Sequence, residues 1–305
     1  MALISHSYDN ELKSKIAETK ERLISEGDKD YTTVAEELSL LERMSKHSLG
    51  QFLILNGGIN GFWTDYIVNH EHGRNKIPNS ERLLLENFPS IIATQQRGKI
   101  FQKILQDNVS DRAVMASIPC GVMGDLLNLD FSQINDFKLI GVDLDEESLT
   151  LAEEKAIANR LIGHSEFKLS NAWDLDLKEE VDILTSNGLN IYEPNADRVV
   201  KLYQGFHDAL KDNGLLITSF LTPHPAIDKS SPWNFEAIDS ECLRQQRVVF
   251  ADIMQAKWQC FMSESKFRNV LEKAGFEKIE VEYDKARIFP TVTARKKPHT
   301  YSAEI

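Results

Sequence analysis

The sequence predicts an α/β fold: a parallel sheet covered by helices on both faces, preceded by a helical region and closed by an antiparallel hairpin. Two observations lead there. Beyond residue 110, short and nearly continuous apolar runs alternate with helical segments, the pattern of strands buried on both sides. At the far end, two strand-like segments follow one another with only a few residues between, which a parallel pair cannot do. The first hundred residues show helical period instead. The expected division is a helical N-terminal cap over residues 1–95 and an α/β core over residues 96–305.

In the helical region, Leu12, Ile16, Leu23 and Ile24 are expected on one face between Asp9 and Gly27. Thr33 and Glu36 have capping-box spacing. Val34, Leu38, Leu41 and Met44 follow at helical period, with Gly50 as the stop. Residues 56–66, NGGINGFWTDY, set permissive glycines directly before Phe62, Trp63 and Tyr66. Further helices are expected over 80–88, stopped by Pro89, and over about 94–105. Strands are expected at 112–118, 138–143, 165–169, 181–186 and 214–220, with helices at 146–160 and 196–211. A helix over 263–274 ends at Gly275, before hairpin strands at 276–284 and 287–294.

Composition narrows the function. The 305 residues are 42% hydrophobic and 27% charged, enough for a self-sufficient core and too apolar for disorder. The net charge of −12 gives no global attraction for nucleic acid or anionic lipid, so neither partner is expected. Cys120, Cys242 and Cys260 form no CxxC pair, which argues against a disulfide framework and a common zinc motif. With no basic, apolar leader in MALISHSYDN and no apolar run of membrane length, a cytoplasmic protein is expected. No metal is expected, and a homodimer is left open.

Open sheets of this type bind ligands at the carboxyl ends of their strands. After the first strand, SIPCGVMGDLL (117–127) places Gly121 and Gly124 at a turn into a helix whose free N–H groups suit an anion. Pro119 and Met123 stand where the glycines of GxGxxG would be sought, and an ordinary strand-to-helix turn reads the same way. The second strand ends in GVDLD. Asp145 is assigned the helix cap, and Asp143, 22 residues beyond Gly121, the hydrogen bonds of a ribose diol. In SNAWDL (170–175), Asn171 and Trp173 offer an edge and a face to a purine, although a Trp there also suits a core. TSNGLNIYEP (185–194) crowds Ser186, Asn187 and Gly188 at the end of the fourth strand, as a turn also would. TPHPAIDKSSPW (222–233) stiffens the loop around His224, a residue type as often structural as catalytic.

In this order and spacing, residues 98–297 resemble the class I S-adenosylmethionine-dependent methyltransferases. With NGFWTDY upstream and TQQR before the core, the whole chain resembles a bacterial group of small-molecule methyltransferases without an assigned substrate. The resemblance implies a Rossmann-like seven-stranded sheet of order 3-2-1-4-5-7-6, with strand seven antiparallel. It implies that Ser117, Cys120 and Gly121 line the methionine part of S-adenosylmethionine and that Asp143 holds the ribose. Leu144 would pack on the adenine, Asn171 and Ala172 would read its edge, and Trp173 would lie alongside. Ser186, Asn187, Gly188 and Leu189 would lie under the sulfonium. Arg97 in TQQR is either a bidentate partner of the cofactor carboxylate or a surface cation. Two departures stand out: Ser117 replaces the usual acidic residue, and Pro119 the first glycine.

The expected activity is methyl transfer to oxygen or nitrogen of a small-molecule acceptor by in-line displacement, with the acceptor aligned and water excluded. Phe62, Trp63 and Tyr66 either form a lid or dock the helices on the core. Trp63, Tyr66 and Tyr192 are candidate acceptor contacts. His224 and Glu193 are the titratable candidates for catalysis, neither with an orienting partner in the sequence. The fourth strand ends in SNGL rather than an Asn/Asp-Pro-Pro-aromatic motif, which favours a small molecule over a nucleobase. The alternatives are a protein or RNA methyltransferase, or a cofactor-binding member without catalysis, suggested by the two departures.

Overall fold

A computed structural model describes residues 6–73, 76–256 and 260–298. The opening residues, on which the leader expectation rests in part, lie outside them. In chain order the helices are α1 (His6–Glu26), α2 (Val34–Met44), α3 (Ser48–Asn56), α4 (Gly61–Val68), α5 (Asn79–Asn87), α6 (Pro89–Asn108), α7 (Gly124–Leu127), α8 (Glu146–Ala158), α9 (Ala196–Ala209), α10 (Ser240–Arg247) and α11 (Glu264–Lys273). The strands are β1 (Ala113–Ser117), β2 (Phe137–Asp143), β3 (Ser165–Leu169), β4 (Val181–Ser186), β5 (Leu210–Ser219), β6 (Phe276–Glu282) and β7 (Thr291–Lys296). The chain folds as two compact units, Met1–Gln95 with Asn234–Lys257, and Gln96–Trp233 with Trp258–Ile305.

The first unit is helical. Its core gathers Leu23, Leu41, Leu49, Leu85 and Phe88 with Val248, Val249 and Ile253, three residues contributed from far along the chain. Polar ties fix the same junction. Lys29 Nζ lies 2.7 Å from Glu37 and 3.3 Å from Asp252, Tyr31 donates its hydroxyl to Asp252, and Arg244 forks onto Glu36. Thr33 caps α2, its side chain accepting from the Glu36 N–H. Two expectations fail here. Ile24 is 59% exposed, because twelve residues after Leu12 the helix has turned about 120° from that face. Gly50 does not stop α2, which ends at Met44; it lies inside α3, where a Cβ would collide with the Met44 carbonyl oxygen. Its missing side chain permits the close approach of two helix ends. Pro89 opens α6, a position that needs no N–H.

The second unit is built on a seven-stranded sheet of order β3-β2-β1-β4-β5-β7-β6. β1 to β5 pair in parallel, and β7 runs antiparallel to both β5 and β6. Successive residues serve opposite faces. Met115, Ile183 and Ile217 join one apolar cluster with Phe101 and Leu105 of α6. Ala116, Leu184 and Leu216 join the other, with Tyr203 and Phe206 of α9 and Phe267 of α11. Every strand predicted from the sequence is present. β7 starts at Thr291 rather than 287, because the Asp284 carboxylate holds the preceding turn by accepting from the Ala286 and Phe289 N–H groups. No helix among the described residues is long and apolar enough to cross a membrane.

Candidate functional site

Hydrogen bonds tie together the carboxyl ends of β1, β2 and β4. β1 ends at Ser117, and the chain passes through the cis Ile118–Pro119 bond to Gly121 and Met123, both left-handed, before α7 begins. The loop is tied to β2 twice. Cys120 donates its N–H to the Val142 carbonyl at 2.9 Å, and Gly121 donates to Asp143 Oδ2 at 2.7 Å. Asp143 Oδ1 accepts from the Asp145 N–H. Asp145 caps α8, accepting from Glu147 N and Ser148 Oγ, the cap role expected of it from the sequence. Cys120 is buried, and burial, helped by the charges of Asp143 and Asp125, pushes its thiol up. A thiol held protonated is a poor nucleophile.

Beyond β2, Leu144 and Leu169 are exposed apolar surfaces at the strand ends, at 66% and 60%. Ala172 is buried, and Asn171 commits its side-chain oxygen to the Trp173 N–H. The Trp173 indole donates to the Arg198 carbonyl at 2.9 Å, and the Arg198 guanidinium lies 5.2 Å from the ring centroid. The indole therefore anchors the start of α9.

At the end of β4, Ser186 is buried and its carbonyl accepts from Thr218. Gly188 is left-handed (φ +88°); a Cβ there would lie 3.3 Å from Ile191, 3.7 Å from Arg97 and 3.9 Å from Ser219. Arg97 proves to be no surface cation. It is 6% exposed, held over the Phe289 ring at 4.7 Å. Its Nη1 donates to Ser219 Oγ at 3.3 Å, and Ser219 in turn donates to Asn187 Oδ1. Its buried Nε has no partner, and no carboxylate among the described residues forms an ion pair with it. Burial brings the guanidinium down to about 10, against the opposing pull of Tyr192 and Asp284.

The segments after β4 and β5 carry Tyr192, Glu193 and His224. His224 accepts the Ala226 N–H on Nδ1 and meets the Trp233 ring edge-on, which fixes its neutral proton on Nε2. Glu193 binds Arg198 and the Asn195 N–H, and these two bonds hold its carboxyl below the usual range. Tyr192 is 58% exposed. In the helical unit, Trp63 packs edge-to-face with Phe62 and Tyr66. Phe62 is 44% exposed. The Tyr66 hydroxyl donates to Glu81, and burial with that carboxylate pushes it up to about 12. Among the described residues, no cluster of three or more His, Cys, Asp or Glu is placed for a metal.

Sequence reasoning missed Asp125, Thr185 and Ser219. Asp125 Oδ2 accepts from Ser117 Oγ at 2.9 Å and from Thr185 Oγ1 at 2.5 Å. Burial raises its carboxyl, and these two hydroxyls oppose the rise. The available signal was the Ser in place of an acid with an acid eight residues on.

Among solved structures, the chain is similar to a possible exported protein from Bordetella parapertussis. The two are 39% identical over 97% of this chain and 100% of that one, with a TM-score of 0.92. The chain belongs to that protein's family. Its sheet order is that of the S-adenosylmethionine-dependent methyltransferase fold. It is similar to magnesium protoporphyrin IX methyltransferase of Synechocystis with bound S-adenosylhomocysteine, at 15% identity over 78% of this chain and 94% of that one, TM-score 0.50. It is also similar to the CMeT domain of the citrinin polyketide synthase, at 14% identity over 87% and 66%, TM-score 0.52. No family model matches, and no curated protein sequence matches. The Bordetella relative overturns the cytoplasmic expectation. Three cysteines without a disulfide constrain the compartment too weakly to decide it.

Proposed function

We propose that the protein binds S-adenosylmethionine at the carboxyl ends of β1, β2 and β4 and transfers its methyl group to a small-molecule acceptor. The observation that carries this reading is Arg97. A buried guanidinium with an orphaned Nε and no counter-ion costs free energy unless an anion completes it. The cofactor's carboxylate is such an anion, and Gly188 leaves the space beside the guanidinium that a Cβ would narrow. Asp143 fits the other end. Both its oxygens already take backbone N–H groups, which orient the carboxylate, and each retains a lone pair for a ribose hydroxyl.

S-adenosylmethionine supplies an electrophilic methyl group on a sulfonium. The protein's part is to hold and align. Asp143 and Arg97 fix the two ends of the cofactor, Ser117, Cys120 and Gly121 line it between them, and Ser186 to Leu189 border the transfer point. Leu144, Asn171 and Ala172 serve the base. His224 has its Nδ1 lone pair occupied and Glu193 is held as a paired carboxylate, so neither is prepared to take a proton. Positioning then carries most of the rate. Tyr192, exposed beyond the end of β4, is the proposed acceptor contact. The experiment is calorimetric titration with S-adenosylhomocysteine, followed by assay of its formation from S-adenosylmethionine across phenols, acids and amines. Absence of binding by the wild-type protein refutes the reading.

A further inference from the structure

The antiparallel end of the sheet is buried on one face only. Val292 and Ala294 of β7 join the apolar cluster that includes α9 and α11, and Ile279 and Val281 of β6 pack against it. Thr291, Thr293 and Arg295 alternate with them, and on their face no residue of β6 or β7 joins the cluster that includes α6. What remains there is a trough of about 500 Å3 between α6 and the edge strand β6. Ile104 and Asn108, one turn apart on α6, form one wall. Lys278, Glu280 and Glu282 form the other. Register sets Glu282 beside Thr291 and Glu280 beside Thr293, while Arg295 pairs with Leu215 of β5. The trough lies wholly within the second unit and includes none of the residues assigned to the cofactor.

A sheet face open to water needs no ligand, and three observations set this one apart. Thr291 is 1% exposed, and its buried Oγ1 has no hydrogen-bond partner. A buried hydroxyl left unpaired costs free energy, which a polar occupant of the trough would recover. Glu280 and Glu282 form no hydrogen bond or ion pair among the described residues. Lys103 of α6, which feels the charge of Glu282, is bound to Asp107 at 2.8 Å. Arg295 lacks a carboxylate as well. It donates to two neutral oxygens, Asn213 O at 3.1 Å and Asn108 Oδ1 at 3.3 Å, and forms no ion pair even with Glu277, its register partner on β6. Opposite charges across a strand pair ordinarily close on one another; here the trough lies between them.

We propose that this trough binds a short zwitterionic peptide, a di- or tripeptide, with its ammonium toward Glu280 and Glu282 and its carboxylate toward Arg295 and Lys278. A purely cationic ligand would meet the two basic groups, and a purely anionic one the two acids. Along β7, Arg295 stands about 7 Å from Thr293 and about 13 Å from Thr291. An extended di- or tripeptide spans about 7–10 Å and so reaches from one charged end to the other. Between the ends, the threonine hydroxyls meet its amides, and Ile104 and Leu215 offer apolar contact to its side chains. A volume of this size is typical of small-ligand sites.

The test is a ligand-observed NMR titration with trialanine and two capped forms, N-acetyl-trialanine and trialanine amide. Trialanine should bind the wild-type protein with a millimolar or tighter dissociation constant, and each cap should weaken it at least tenfold. Glu280→Gln combined with Glu282→Gln changes two exposed side chains that hold nothing in the fold. That variant should lose the same factor for trialanine and no longer distinguish it from the acetylated form. Thr291→Val should weaken trialanine about fivefold while its Tm holds or rises, because an unpaired buried hydroxyl is removed. A hydroxyl that served only the fold would lower Tm and leave binding unchanged. No binding of trialanine at about 10 mM, or binding indifferent to both caps, would overturn the proposal. So would sedimentation showing a wild-type dimer that the two Gln changes dissolve, since the trough would then belong to a second copy. None of these measurements reads methyl transfer, so their outcome is independent of the cofactor reading.

Discussion

Replacing Arg97 with Met separates a binding residue from a structural one by the sign of the stability change. In the free protein the guanidinium is 6% exposed and makes one hydrogen bond, at 3.3 Å. Its displacement from 12.5 to about 10 by burial corresponds to roughly 3 kcal/mol of unfavourable desolvation, at 1.36 kcal/mol per pKa unit. Met removes that cost, keeps most of the volume over Phe289 and gives up the Ser219 bond, worth about 1 kcal/mol. The free variant should therefore be more stable by about 1–2 kcal/mol, which raises Tm by about 2–8 °C for a unit of this size. The ligand response should move oppositely. A bidentate bond to a carboxylate contributes about 1.5–3 kcal/mol, so affinity for S-adenosylhomocysteine should fall at least tenfold. Thermal melts with and without ligand, together with calorimetry, read both effects. A variant that melts several degrees lower and binds as well as the wild type would refute the reasoning, because Arg97 would then be holding the fold.

Other outcomes follow from the same geometry. Asp143→Ala should weaken S-adenosylhomocysteine at least tenfold in calorimetry, while the circular dichroism of the sheet is unchanged. Gly188→Ala places a Cβ at φ +88°, 3.3 Å from Ile191; it should cost about 1–2 kcal/mol in denaturant melts. His47 caps α3 through Nδ1, and burial lowers its pKa despite the pull of Glu81. The unfolded chain then binds more protons below about pH 6.5, so stability should fall as pH drops from there toward the lowered folded value. His47→Asn, which still caps, should flatten that part of a Tm–pH profile. His224→Ala should lower the turnover rate less than tenfold at saturating cofactor once an acceptor is identified; a loss above a hundredfold would make His224 the base.

The sheet was legible because each central strand is buried on both sides and so reads as an apolar run bounded by turns. Its order was not contained in those runs. It came from a resemblance, and the register pairs of the structure bear it out. Asp143 and Asp145 could be told apart because an N-cap has a fixed place one residue before its helix. The loop after β1 was legible only as a turn. Met123 takes a left-handed conformation that a glycine would have announced, and the hydroxyl bonds of Asp125 join residues eight and sixty apart, beyond any local pattern. Arg97 read equally as buried or exposed because its chain neighbours Gln95, Gln96 and Lys99 are polar, and packing on Phe289 decides. Helix α10, SECLRQQR, has almost no apolar period, so nothing in it announced that residues 234–257 belong with the N-terminal helices.

That late contribution has a consequence for how the chain acquires its structure during synthesis. Residues 1–95 leave the ribosome first, yet their apolar centre lacks Val248, Val249 and Ile253 until some 150 further residues have followed. Until then Lys29 and Glu36 lack their partners Asp252 and Arg244. The nascent helices must wait as a loose, exposed assembly while the whole Rossmann-like sheet up to β5 is translated. The earlier piece is thereby completed late, and a fragment of residues 1–95 should aggregate rather than stand as a domain.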